Sequence, residues 1–85
     1  MISEVLTAAQ KAFDEHFADD MYGGKNYMTS NIEEQENVPD RLFCRFKSLD
    51  DHGLRWIQSY CFVNELYLCF IGATNGFFDV KMMES

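Results

Sequence analysis

Two histidines carry the first chemical candidates in the chain. His16 and Asp20 lie four residues apart, with Asp19 adjacent, a spacing that puts an imidazole and a carboxylate on one helix face. Such a pair supplies part of a metal site or orients an imidazole as a general base. Two ligands on one helix are not a complete site, however. His16 also falls on the inner edge of an apolar stripe, where a hydrogen-bonded core histidine is the commoner outcome. The second histidine stands in Asp50-Asp51-His52-Gly53, inside what reads as a tight hairpin loop. Turn chemistry accounts for Asp and Gly there without catalysis. Gly23-Gly24-Lys25 closes a helix rather than opening one, so it lacks the anion-attracting helix N-terminus of a phosphate loop. Cys44, Cys61 and Cys69 are odd in number and match no paired-cysteine spacing, so they read as reduced, buried thiols. No catalytic residue, metal or cofactor is assigned on these grounds.

Composition sets the frame for whatever positions these residues. Residues 1–85 fit one domain with one core. A hydrophobic content of 47% and an aromatic content of 15% lie far from a disordered chain. No apolar run approaches the roughly 20 residues of a membrane span, and no secretory-type leader is apparent, so a cytoplasmic setting is expected. The net charge is −7 and unevenly placed. Residues 1–40 hold nine acids against Lys11 and Lys25, whereas residues 41–85 hold five acids and five bases. That balance argues against nucleic acid and anionic membrane as partners and favours a basic protein surface. Asp14, Glu15, Asp19, Asp20, Glu33, Glu34 and Glu36 form the candidate acidic surface.

In residues 2–21, Ile2, Val5, Leu6, Ala9, Phe13, Phe17 and Met21 follow the spacing of one helical face, with Ser3 as N-cap and Gly23-Gly24 as stop. Residues 26–32 suit a short edge strand, and residues 33–40 an acidic loop. Residues 41–49, 54–63, 66–74 and 77–83 are rich in β-branched and aromatic side chains and read as strands. Asn75-Gly76 is a strong hairpin signal, Asn64-Glu65 a weaker one, and Asp51-His52-Gly53 fits a three-residue loop. The expectation is an α+β domain: one N-terminal helix on an antiparallel meander of four or five strands. That is a sheet-over-helix architecture similar to the cystatin-like one, with no motif to support a family.

The predicted turns assign faces. One face collects Leu42, Cys44, Phe46, Trp56, Gln58, Tyr60, Phe62, Tyr67, Cys69, Ile71, Ala73, Phe78, Val80 and Met82, and should receive the helix. Gln58 is its odd member, since an unpaired buried amide costs on the order of 1–3 kcal/mol. With His16, Trp56 and Tyr60 it defines a candidate pocket between helix and sheet. The other face is also apolar. Phe43, Cys61, Leu68 and Met83 should form one cross-strand row, extended by Val63, Leu66 and Phe70, with Arg41, Arg45 and Lys47 along its edge. A patch of this kind marks an interface.

Function is therefore expected to be non-enzymatic protein binding. The chain would form a homodimer through this outer face and act as a small acidic inhibitor, an immunity-type protein or an adaptor or chaperone. The alternative is a small-ligand-binding protein or minor enzyme using the His16/Trp56/Gln58/Tyr60 pocket.

Overall fold

A computed structural model of the chain describes residues 3–18 and 26–85, the side chains of Phe70 and Thr74 excepted. The elements run α1 (Glu4–Phe17), β1 (Tyr27–Glu33), β2 (Arg41–Phe46), α2 (Asp51–Val63), β3 (Leu66–Thr74) and β4 (Phe77–Glu84).

Helix α1 forms where the apolar spacing predicts it. The Ser3 hydroxyl accepts from the amides of Val5 and Leu6 at 3.1 and 3.2 Å, satisfying donors that the first turn leaves open. Its buried stripe is Leu6, Ala9, Phe13 and Phe17. The helix ends at Phe17, ahead of the predicted stop at Gly23-Gly24, which lies outside the described residues.

The fold is α+β, with the N-terminal helix packed on an antiparallel sheet that, among the described residues, has four strands in the order β1-β2-β4-β3. This order corrects the predicted meander. β4 lies between β2 and β3, so β2 and β3 run parallel to each other without touching. Residues 26–32, expected as an edge strand, supply β1. The β3–β4 hairpin turns at Asn75-Gly76, where φ is +52° and +84°, the two positive angles that a tight two-residue hairpin turn requires.

Residues 54–63, expected as a strand, belong to helix α2 instead. Asp50 is not part of a hairpin loop but the N-cap, its carboxylate accepting from the Gly53 amide at 2.8 Å, and Asp51 lies in the favourable first turn. Gly53 is buried, and a Cβ there would sit 2.6 Å from Leu49 Cδ1, so a larger residue would have to displace the Leu49 side chain. Asn64-Glu65 is a helix end rather than a hairpin turn. The Asn64 amide donates to the Tyr60 carbonyl, and Glu65 takes the left-handed φ of +56° that follows many helices. Read at 3.6 residues per turn, Gly53, Trp56, Ile57, Tyr60 and Cys61 form one face.

Both helices lie on the same side of the sheet. Leu6, Phe13, Phe17, Ile57 and Cys61 join Leu42, Cys44, Phe46, Val80 and Met82 in one core. Burial of side chains of this size stabilises by about 1.5–3 kcal/mol each. The opposite side carries no described helix.

Candidate functional site

The closed side of the sheet brings together His16, Trp56 and Tyr60, three of the four predicted pocket residues. The His16 ring stacks on Trp56 at 3.9 Å and 8°, and Trp56 continues onto Tyr60 at 5.3 Å. Phe13 meets both Trp56 and Tyr60 edge-on. These rings fill the space that the pocket would have occupied, and they knit α1 to α2. Gln58 does not join them. One residue past buried Ile57, it is turned about 100° around α2 and exposed. A small depression lies elsewhere, lined by Phe17, Asn26, Phe46, Ser48, Leu49, Asp50 and Gly53. His52 is exposed in the first turn of α2. Among the described residues no three His, Cys, Asp or Glu side chains group as a metal site.

A polar cluster ties α1 to β1. One carboxylate oxygen of Asp14 accepts from the Tyr27 hydroxyl at 2.6 Å and from the Ser30 hydroxyl at 2.5 Å. Gln10 donates to the Ser30 carbonyl beside them. This explains an acid in the C-terminal half of a helix, where the dipole disfavours it. The hydroxyl of Tyr27 also reaches the buried Cys44 thiol at 4.0 Å. Burial pushes the Tyr27 phenol far above its ordinary range and the Cys44 thiol up to about 12. Both keep their protons at neutral pH, so the cluster acts as a clamp and supplies no ready nucleophile. Of the other acidic candidates, Glu15, Glu34 and Glu36 are exposed, Glu33 is paired, and Asp19 and Asp20 lie outside the described residues.

The open side of the sheet is the stronger candidate. β2 and β4 pair Arg45 with Asp79 and Phe43 with Lys81. The Arg45 guanidinium grips Asp79 through two bonds of 2.8 and 3.0 Å. It also lies 5.3 Å from the ring centres of both Phe43 and Phe77. Lys81 stands over Phe43 at 5.6 Å while pairing with Glu33 at 3.1 Å. Asp79 is held at 4% exposure, opposite Gly72 on β3, where no side chain competes for the space. The bond to Asp79 holds Arg45 above its already high ordinary pKa, so its charge is permanent. A fixed guanidinium and an ammonium set over aromatic rings make a rigid surface.

The predicted interface row divides between the two sides. Phe43 and Met83 lie on the open face, as expected. Cys61 is in the core on α2, 3.8 Å from the Met82 sulfur, and burial raises its thiol to about 11. Leu66 is buried, Leu68 packs against the core, and Val63 is exposed at the end of α2. The reason is a bulge at Cys69. The register shifts between Leu68 and Phe70, so the first part of β3 presents Leu66 and Leu68 to the helices and Tyr67 to the open side. The Phe70 side chain lies outside the described part. Arg41 and Arg45 sit on an inner strand, because β1 pairs outside β2. Arg41 donates to Gln35 and Lys47 is exposed. The Arg45–Asp79 grip was missed because alternation placed both residues on this face while the meander kept β2 and β4 apart.

Among known protein families, curated proteins and solved structures, none matches the chain. No helix among the described residues is long and apolar enough to cross a membrane.

Proposed function

We propose that the protein is a non-enzymatic protein-binding domain that docks a partner protein through the open face of its sheet. The observation that carries this reading is the composition of that face. Phe43, Phe77, Met83 and Tyr67 stand among Arg41 and Arg45, and aromatic residues, Met and Arg are the types enriched where proteins meet. Tyr67 is 60% exposed, although its ring would be better buried. The rest of the surface is rich in Asp and Glu, residues depleted at interface centres. An acidic inhibitor or adaptor fits this arrangement, with Glu15, Glu34 and Glu36 left outside the contact to attract a partner with basic surroundings. Free Cys44 and Cys61, each buried apart, suit a reducing cytoplasmic setting.

The test uses a partner captured on the immobilised chain, then purified and titrated by calorimetry. Phe43→Ser combined with Tyr67→Ser should weaken binding at least about tenfold, as loss of a central anchor does. Glu15→Lys on α1 should change it far less. Binding that follows Glu15 and ignores the Phe43/Tyr67 pair would refute docking on this face.

A further inference from the structure

Among the described residues, the two edges of the sheet are built differently. β1 carries safeguards against pairing with another chain: a polar run at 29–31 and Glu33. β3 reads LYLCFIGAT, nine residues without a charge or a proline. Past its bulge, residues 70–74 run in regular register along β4. Alternate residues of such an edge turn their N–H and C=O groups away from the sheet. Exposed apolar side chains flank it. Ile71 is 36% exposed and Phe62 86% in the last turn of α2, the helix that packs on β3.

We propose that β3 is a self-association edge. A second copy of this chain adds its own β3 antiparallel across a two-fold axis and joins two four-stranded sheets into one. Charge selects the occupant. At −7, two copies repel across most of their surfaces, and β3 is a long charge-free strand along which they approach with no like charges opposed. Symmetry points the same way, because an antiparallel pair about a two-fold axis uses one strand for both sides and needs no matched foreign sequence. With the axis at Gly72, each Ile71 stands opposite an Ala73 of the other copy, and both residues are exposed in the single chain. The pairing uses the edge and leaves the open face clear, so it stands independently of the docking reading. One short strand pair with a few flanking side chains suits a micromolar dimer.

Sedimentation equilibrium of the full chain from about 1 to about 300 µM tests this. The mass should rise from one chain towards two. Hydrogen exchange at residues 70–74 should slow as concentration increases. Ile71→Lys with Ala73→Lys should stay at one chain throughout, with the far-ultraviolet spectrum of the wild type. Phe43→Ser on the open face should still dimerise. A single-chain mass at the highest concentration overturns the proposal, as does association that survives the lysine pair or is lost with Phe43→Ser.

Discussion

Along β2, neighbouring residues meet two different environments. Leu42, Cys44 and Phe46 are sealed beneath two helices at 0–1% exposure, while Arg41, Phe43 and Arg45 on the other side remain half-buried. β4 repeats the contrast, with Val80 and Met82 sealed and Lys81 and Met83 partly open. The closed side is held by apolar contact and ring packing, which are non-directional and tolerate little loss of volume. The open side is held by directed contacts: a two-pronged ion pair and cations over rings. The first arrangement makes the domain stable, and the second keeps a shaped surface without a second layer to cover it.

The largest expected difference lies in truncating one aromatic ring on each side. Phe13→Ala, at a fully buried site, should cost about 3–5 kcal/mol and bring a small domain near its limit of stability. Phe43→Ala should cost about 1 kcal/mol, since its ring is only partly removed from water. Urea unfolding midpoints measure both, and equal losses would abolish the distinction between the faces.

Alkaline pH should probe the closed side selectively. Burial raises Cys44 from its ordinary 9.0 to about 12 and Cys61 from 9.0 to about 11, and Tyr27 shifts upwards as well. The unfolded chain therefore releases these protons first. The stability they confer is whole below pH 9 and is lost as pH rises towards 12, by at most about 1.4 kcal/mol per pH unit for each group. Urea midpoints that stay level between about pH 8 and 10.5 would contradict this.

The smallest effect concerns the asymmetry of the ion pair on the open side. The Asp79 side chain is 6% exposed and that of Arg45 36%. Arg45→Ala should lower the urea midpoint more than Asp79→Ala, because it leaves a buried carboxylate without its guanidinium, whereas a released arginine reaches water. The reverse order would show that the pair is governed by the solvent-facing partner.

Much of this architecture was readable where a single period dominated. The α1 stripe, the Asn75-Gly76 turn and the alternation of β2 and β4 each carry one unambiguous pattern, and the structure keeps them, except that Val5 of the stripe is 39% exposed and Ile2 and Met21 lie outside the described residues. Residues 51–63 carry two. Trp56, Ile57, Tyr60, Phe62 and Val63 have strong strand preference, yet they also fit a helical face capped by Asp50, and packing against α1 selects the helix. β3 carries no period at all, since its near-continuous apolar run hides the extra residue at Cys69. These two stretches displaced Cys61, Leu66 and Leu68 from the expected interface. Phe43 and Met83 lie on β2 and β4, where alternation was plain, and they stayed on it.

The place of β4 has a consequence for biosynthesis. Among the described strands it comes last in the chain, yet it lies between β2 and β3 and bonds to both. β1 and β2 can pair before it is made, whereas β3 has no strand partner among the described residues until residues 77–84 join it. A product truncated within β4 would therefore leave β3, a charge-free strand, open to aggregation.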